Sequence, residues 1–255
     1  GFVDRRFRMP ADVHLVMQRI PMLGMLPGLP KNLSDPEAAA LAVSCVHQLR
    51  NRLQIAAGDQ SKVFVVTSPT RGDGKTSLAL ALGLSFAGAH ARKLLVDFDI
   101  TGGGLTNRIE PMIRPRLGQI LLESGRITWA QLEEALVAAH NAKSQIGQTL
   151  LEKGSITAAE LEEALSLQMR PPAGLLDAVL GTSLEDSVKP TRFPNLFALQ
   201  RGAAGPEHLG HFSPAVVRKL LEQARKNYDV VVVDTGPVLG SLEAPLIAPA
   251  ADAVV

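Results

Sequence analysis

Short runs of consecutive apolar residues alternate along this chain with longer stretches in which apolar residues recur at helical spacing. The runs at 63–66, 93–99, 196–199 and 229–234 each contain three or four consecutive apolar residues, which is typical of strands buried on both faces of a sheet. Helical stretches such as 36–53, 75–89 and 214–227 separate them. The alternation predicts an α/β fold with a mainly parallel sheet, covered by helices on both faces.

A loop suited to phosphate binding connects the first strand to its helix, with the sequence TSPTRGDGKTS at 67–77. Small residues let successive backbone N–H groups face one centre, and the helix start adds unpaired N–H groups and a positive dipole end. Lys75 would reach the β- and γ-phosphates of a nucleotide, and the Thr76 hydroxyl would ligate Mg²⁺. An ordinary glycine-rich turn is the alternative, and Pro69 replaces the first glycine of GxxxxGK. The predicted nucleotide-binding residues are Thr70, Arg71, Gly72, Asp73, Gly74, Lys75, Thr76 and Ser77.

Three carboxylates follow later strands and add to this prediction. The run at 93–99 ends with Asp97 and Asp99, and Asp234 ends the four-valine strand. Ligands of parallel sheets bind at the carboxyl ends of the strands, so these groups are expected beside the phosphate loop. Asp234 suits the magnesium shell. One member of the aspartate pair would orient metal-bound water while the other accepts a proton, or one of them caps the following loop.

Two neighbouring features stay open at the level of sequence. The glycine run at 102–104 either brings the backbone close to a nucleotide or forms a hinge before the next segment. Arg201, after the strand at 196–199, is either a base or phosphate contact or an ordinary surface charge.

Residues 117–139 align without gaps on residues 146–168, and fourteen of the 23 positions are identical. Each copy predicts a short helix stopped by Gly125 or Gly154, then a longer helix opened by a capping box at Thr128 or Thr157. Such a unit packs on its twin. We predict a small inserted all-α domain of two helical pairs at 111–171, an α/β domain at 34–110 and 172–255, and a linker at 1–33. Trp129 is expected in the core.

Composition narrows the functional classes. The 255 residues carry a net charge of +1 with both signs mixed, which argues against a nucleic-acid surface. One cysteine fits a reducing cytosol, no stretch approaches the length of a membrane helix, and the abrupt ends suggest a fragment of a longer protein.

The motifs TSPTRGDGKTS (67–77), LLVDFD (94–99) and DVVVVDTGPV (229–238) together resemble the bacterial tyrosine kinases (BY-kinases), ATPase domains that partner polysaccharide co-polymerases in capsule and exopolysaccharide export. The resemblance implies a P-loop NTPase with ATP/ADP and Mg²⁺, located in the cytoplasm at the inner face of the membrane. It also implies a membrane-embedded co-polymerase or export machinery as partner, and homo-oligomers. The implied catalytic residues are Lys75, Asp97, Asp99 and Asp234, with Thr76, Asp99 and Asp234 at the metal and Asp97 as base toward a tyrosine hydroxyl.

The chain departs from that family at several positions. Thr101 stands where the family usually has arginine, and Gly236 replaces the first proline after Asp-Thr. The family's assembly helix carries Glu-x-x-Arg-x-x-Arg, of which only Arg50 matches. Tyr228 is the only tyrosine, so the family's C-terminal tyrosine cluster is absent from this sequence.

The repeat resembles a second family, the MshEN domain, which binds cyclic di-GMP through two motifs beginning Arg-Leu-Gly. Copy one begins Arg-Leu-Gly at 116, whereas copy two begins Gln-Ile-Gly at 145 and alone keeps the final glutamine of the motif. The alternative is a helical spacer or protein-binding module. The residues that the resemblance assigns to cyclic di-GMP are Arg116, Leu117, Gly118, Leu121, Leu132, Leu136, Gln145, Ile146, Gly147, Leu150, Leu161, Leu165 and Gln168.

The sequence thus favours a BY-kinase-like ATPase that regulates exopolysaccharide synthesis or export and senses cyclic di-GMP through the repeat. The alternative is a non-catalytic, nucleotide-binding regulatory pseudokinase whose insert binds another protein. A partition-type or MinD-type ATPase ranks last, because that group needs a signature lysine where this chain has Thr70.

Overall fold

The computed structural model describes residues 22–27, 35–57, 62–88, 91–113, 115–169 and 173–255. Most of the predicted linker at 1–33 lies outside these ranges, and residues 22–27 form neither helix nor strand. Pro171 and Pro172, which the sequence predicts to end the last helix of the repeat, also lie outside the described residues.

Helices and strands alternate as the apolar pattern predicts. Two 3₁₀ turns, Pro206–His211 and Ala248–Ala250, complete the regular structure. The elements are α1 (Pro36–Ala57), β1 (Lys62–Val66), α2 (Lys75–Ala87), β2 (Lys93–Phe98), α3 (Gly104–Ile113), α4 (Leu117–Glu123), α5 (Trp129–Ala142), α6 (Ile146–Glu152), α7 (Ala158–Met169), α8 (Leu175–Leu180), α9 (Leu184–Ser187), β3 (Lys189–Pro190), β4 (Leu196–Leu199), α10 (Pro214–Asn227), β5 (Val230–Thr235), α11 (Glu243–Ile247) and β6 (Ala253–Val254).

The strands form one six-stranded sheet in the order β3-β4-β2-β5-β1-β6. All neighbouring strands run parallel except β3 and β4, which are antiparallel. Strands β2 and β5 in the middle are buried at every position. A parallel strand covered on both faces needs apolar residues throughout, which explains the continuous runs.

Alternate residues of the strands enter two separate cores. Val63, Val65 and Val96 pack beneath α8, α10 and α11 on one face. Phe64 and Leu95 pack beneath α1, α2 and α3 on the other. The predicted α/β architecture with helices on both faces is therefore confirmed.

Gly174, just before α8, allows two backbone segments to touch. A Cβ at this position would lie 2.6 Å from both the Gln200 oxygen and the Gly202 nitrogen. We expect Gly174→Ala to cost about 1–3 kcal/mol of folding free energy, because backbone cannot move aside as a flexible side chain can. Thermal denaturation compares it with Gly210→Ala, whose Cβ would meet no atom within 4 Å. Equal melting temperatures for the two variants would contradict this packing.

The repeat forms four helices, α4 to α7, with the predicted stop and start signals. Gly125 and Gly154 adopt positive φ of 69° and 67° after the short helices. Thr128 and Gln131 cap α5 reciprocally, and Thr157 does the same with Glu160 at α7. The strongest pairings cross between copies, since α4 packs on α7 and α5 on α6.

These four helices have a hydrophobic cluster of their own, separate from the two sheet cores. Leu121 of copy one and Leu150 of copy two lie at its centre, both fully buried. Because the helices pair across the copies, neither copy buries its apolar face alone. Within the described residues, no helix is long and apolar enough to cross a bilayer.

Candidate functional site

The phosphate-type loop and the three carboxylates meet at one edge of the sheet. The loop leaves β1 at Val66, whose partner in the neighbouring strand is Asp234 of β5. Asp234 is in turn the register partner of Asp97 in β2. Because these strands are parallel, their carboxyl ends bring the predicted groups together.

Local hydrogen bonds fold the loop on itself. The Asp73 carboxylate accepts bonds from the Thr70 backbone N–H and hydroxyl, both 2.8 Å long. These bonds lower the pKa of Asp73 below its ordinary value. Gly72 and Gly74 have φ of 91° and 92°, a region that other L-residues rarely adopt. The loop therefore holds its turn through glycine conformation and one aspartate.

Helix α2 begins directly at Lys75, so its first N–H groups face the loop. The Lys75 ammonium lies 3.8 Å from an oxygen of Asp99, and both side chains are 10% exposed. The other Asp99 oxygen accepts the Gly102 backbone N–H at 2.9 Å. At this distance Lys75 and Asp99 form a long ion pair and not a close hydrogen-bonded one. The Lys75 ammonium is therefore not held tightly and could contact a phosphate instead.

Asp234 is fully buried, and neither carboxylate oxygen has a hydrogen-bond partner in the part of the chain that the structure describes. Burial raises the pKa of Asp234 to about 7; the Asp97 and Asp99 charges add to this, whereas the nearby Thr76 hydroxyl and Lys75 ammonium oppose it. A buried carboxylate without a partner beside a hydroxyl fits the oxygen ligands that Mg²⁺ takes. The residues present thus fit a magnesium ion.

Asp97 is also fully buried, but its oxygens are occupied. One accepts the Thr106 backbone N–H at 2.6 Å and the other accepts the Asp99 N–H at 3.2 Å. Burial raises the pKa of Asp97 to about 6, although the hydrogen bonds from Thr106 and Asp99 lower it. Asp97 therefore ties β2 to the first turn of α3.

The glycine run at 102–104 brings backbone close to the site. A Cβ on Gly102 would lie 2.5 Å from an Asp99 oxygen, and one on Gly104 would lie 3.4 Å from the Thr76 hydroxyl. Arg201 is not an ordinary surface charge, because its guanidinium donates to the Ile100 carbonyl at 3.0 Å. Close approach explains these glycines better than a hinge, and Arg201 braces the loop that contains them.

The raised pKa of Asp234 makes a stability prediction with a definite sign. In the native state Asp234 keeps its proton, whereas in the unfolded chain it loses the proton near its ordinary pKa of 3.8. The contribution of Asp234 to the free energy of unfolding is therefore largest below that pH. It fades as pH rises toward about 7, where the buried carboxylate becomes charged. As pH rises from about 4 to 8, we expect the free energy of unfolding of Asp234→Asn to increase relative to that of the unmodified protein by on the order of 3 kcal/mol.

Melting temperatures across that pH range, without nucleotide or divalent ions, measure the gain. Asp252→Asn is a control of opposite sign, because that carboxylate contacts Arg225 at 2.6 Å and its loss should destabilise. A difference between Asp234→Asn and the unmodified protein that does not vary with pH would contradict the prediction.

A cavity of about 630 Å³ opens on the repeat. Six of the residues assigned to cyclic di-GMP line it: Arg116, Leu117, Gly118, Leu132, Leu136 and Ile146. The remaining seven do not. Leu121 and Leu150 are fully buried in the cluster between the copies, while Gln145, Gly147, Leu161, Leu165 and Gln168 lie outside the lining. Gln168 donates to the Pro115 carbonyl at 3.1 Å and so lies next to Arg116.

Comparisons with known proteins bear on the α/β part. No family model matches the chain. The succinoglycan biosynthesis transport protein ExoP of Rhizobium meliloti (strain 1021) is 34% identical over 76 residues, which is 30% of this chain. The match covers 9% of that protein, so the chain corresponds to a small part of it.

Solved structures superpose on most of the chain. The chimerical protein CapA2B2 has a TM-score of 0.62 at 17% identity, over 96% of this chain and 83% of its own. The BceF tyrosine kinase domain has 0.60 at 21% identity, over 96% and 84%. The kinase domain of the Escherichia coli tyrosine kinase ETK has 0.57 at 18% identity, over 93% and 69%. The chain has the P-loop NTPase fold.

Within this P-loop NTPase fold, the structure brings the start of the loop after Val66, Lys75, Asp97, Asp99 and Asp234 together at one edge of the sheet. Sequence reasoning missed Thr106, whose N–H holds Asp97, and Glu243, which is fully buried with no partner for either oxygen in the described ranges. The glycine run was the only signal for the Thr106 contact. Trp129 was wrongly expected in the core; it is 77% exposed and lines the cavity on the repeat.

Proposed function

We propose that this chain binds Mg-ATP at the P-loop and hydrolyses it. The unpartnered, buried Asp234 beside Thr76 is the observation that carries this proposal, since it provides oxygen ligands with no structural partner. Thr76, Asp99 and Asp234 would hold Mg²⁺, which neutralises phosphate charge when bound. The loop at 70–77 would surround the phosphates, and Lys75 would leave Asp99 for the β- and γ-phosphates.

Calorimetric titration with ATP in the presence of magnesium, followed by a phosphate-release assay, tests this. We expect saturable binding that weakens when EDTA replaces magnesium. Absence of binding at millimolar Mg-ATP would refute the nucleotide site, and binding without phosphate release would refute only turnover.

The wider role that we propose is regulation of exopolysaccharide synthesis or export from the cytoplasmic face of the membrane, with a membrane-embedded co-polymerase as partner. The partial match to a succinoglycan transport protein supports it, as does the shared fold with tyrosine kinase domains. Homo-oligomers, which the BY-kinase resemblance implies, form part of the same proposal. Co-purification of the chain with a membrane-embedded polysaccharide co-polymerase tests the partner, and failure to co-purify would count against it.

A non-catalytic, nucleotide-binding regulator is the second candidate, and the state of Asp97 favours it. A base toward a tyrosine hydroxyl must reach the substrate, whereas both Asp97 oxygens accept backbone N–H groups and none of its surface is exposed. Detection of phosphotyrosine after incubation with Mg-ATP would exclude this candidate.

For the repeat we propose binding of cyclic di-GMP. The cavity has an apolar floor with Arg116 at its edge, and its volume lies within the usual range for small-molecule sites. Titration of the chain with cyclic di-GMP tests this. Absence of heat at high micromolar ligand would leave the repeat as a spacer or protein-binding module.

Helix α3 offers a physical route by which the two sites would communicate. Its first turn holds Asp97 through Thr106, its Arg108 donates to Ser77 at 2.7 Å, and its last residue, Ile113, precedes Arg116 by three positions. Coupling between sites is reciprocal, so each ligand would change the affinity of the other by the same factor. Equal affinities for Mg-ATP with and without cyclic di-GMP would refute this regulation.

A further inference from the structure

We propose that Trp129 and Glu123 make the copy-one cavity a guanine-selective subsite, in which the indole stacks on one base of the cyclic dinucleotide. This inference rests on the proposed binding of cyclic di-GMP. It concerns two residues outside the set that the resemblance assigned to that ligand, and it predicts that the two copies contribute unequally.

The exposure of Trp129 is the first observation. A tryptophan buries a large apolar area when it packs, yet this one is 77% exposed at the first position of α5. It borders a cavity whose floor includes the buried Leu117 and Leu132. Unpaired nucleobases are commonly held on the faces of aromatic side chains, and such stacking is sequence-tolerant and strong. An exposed indole above an apolar floor therefore suits a planar base.

Charges at the rim then select among bases. Arg116 can donate two hydrogen bonds to the O6 and N7 acceptors of guanine, or pair with a phosphate. Glu123 borders the same cavity, and its Oε1 accepts from Gln119 Nε2 at 2.8 Å. The structure records no bond to its other oxygen within the described ranges. That oxygen can accept the N1–H or the exocyclic N2–H of guanine, donors that adenine lacks at those positions.

The second copy is built differently at both sites of recognition. Ala158 stands where copy one has Trp129, and Gln145 stands where it has Arg116. Glu152 matches Glu123, but copy two lacks an indole and an arginine at the matching positions. The base that binds at copy one is therefore held by more interactions than the base at copy two.

Trp129 is the only tryptophan in the chain, so its fluorescence reports on this subsite alone. We expect cyclic di-GMP to quench it with the same dissociation constant that calorimetry gives. Trp129→Ala should weaken binding about 5- to 100-fold, the range that alanine substitution gives for base stacking. Trp129→Phe should retain most of the affinity, because phenylalanine also stacks.

Val137→Ala is the matched control, since Val137 is an exposed apolar residue of the same helix that lies outside this cavity. Glu123→Gln should lower the preference for cyclic di-GMP over cyclic di-AMP about tenfold, with circular dichroism confirming the fold. Two results together would overturn the subsite but keep cyclic di-GMP binding: calorimetric affinity that is unchanged in Trp129→Ala, and tryptophan fluorescence of the unmodified chain that does not respond to cyclic di-GMP. Absence of calorimetric binding to the unmodified chain would overturn both.

Discussion

Replacing Lys75 with methionine should lower the rate of ATP hydrolysis about 100-fold or more while leaving the chain folded. Lys75 is the first residue of α2, its ammonium lies within 4 Å of Asp99, and we propose that it contacts the phosphates of bound ATP. Removal of one donor aimed at charge that develops in a transition state costs a factor of about 100 to 1,000. Methionine keeps the length and apolar stem of lysine, so the loss isolates the charge.

A phosphate-release assay at saturating Mg-ATP measures this effect. Lys219→Met is the matched control, because Lys219 is an exposed lysine of α10 on the other face of the sheet. Hydrolysis that persists at the unmodified rate in the Lys75 variant would show that the activity arises elsewhere. A drop of equal size in both variants would point to a loss of folding instead, which circular dichroism would reveal.

The sheet and its helices were predictable because strands buried on both faces appear in the sequence as short continuous apolar runs. A central parallel strand must be apolar throughout, so the runs at 63–66 and 229–234 identified their strands to within one residue. The convergence of Asp97, Asp99 and Asp234 followed from the same rule, since parallel strands end at one edge.

The repeat was predictable as two helical pairs, since self-alignment revealed the copies and Gly125 and Thr128 marked the turn between helices. How the helices pair was not predictable. The copies share the same apolar positions, so the pattern is equally satisfied by packing within a copy or across copies. Only the three-dimensional structure reveals the crossed pairing of α4 with α7 and α5 with α6.

Trp129 illustrates a different limit. Apolar residues at helical spacing are expected inside, but the first residue of a helix lies at its edge, where the preceding turn decides what covers it. Asp97 and Asp99 show the same problem for polar groups. The sequence does not distinguish them, yet backbone N–H groups of Thr106 in α3 and of Asp99 occupy both Asp97 oxygens, whereas an oxygen of Asp99 faces Lys75. Such discrimination depends on contacts 9 residues away in the sequence.

These placements distinguish the three carboxylates by which of their oxygens are already bonded. Asp99 and Asp234 have oxygen atoms that a metal can recruit, and Asp97 has none without releasing Thr106 from β2. Any rearrangement that freed Asp97 would therefore move the first turn of α3. Because α3 leads to the repeat, a catalytic role for Asp97 and a regulatory role for the repeat would be linked through one helix.

Arg116→Ala is expected to weaken cyclic di-GMP binding about 10- to 100-fold, since hydrogen bonds to charged groups contribute about 1.5–3 kcal/mol. Arg116 is exposed at the start of α4, borders the cavity and follows Pro115, whose carbonyl is bonded to Gln168 of the other copy. Arg126→Ala is the matched control, because Arg126 pairs with Glu160 at 2.8 Å and does not border the cavity. Calorimetric titration of both variants measures the difference.

The two arginines separate ligand recognition from repeat stability. If only the Arg116 variant loses affinity and its melting temperature is unchanged, the cation acts on the ligand. If the Arg126 variant loses as much, the affinity reflects the integrity of the crossed helical pairs instead, because Arg126 joins copy one to α7 of copy two. Unchanged affinity in the Arg116 variant would exclude this cavity as the part of the site that binds the phosphates or guanine of cyclic di-GMP, whatever the chain binds elsewhere.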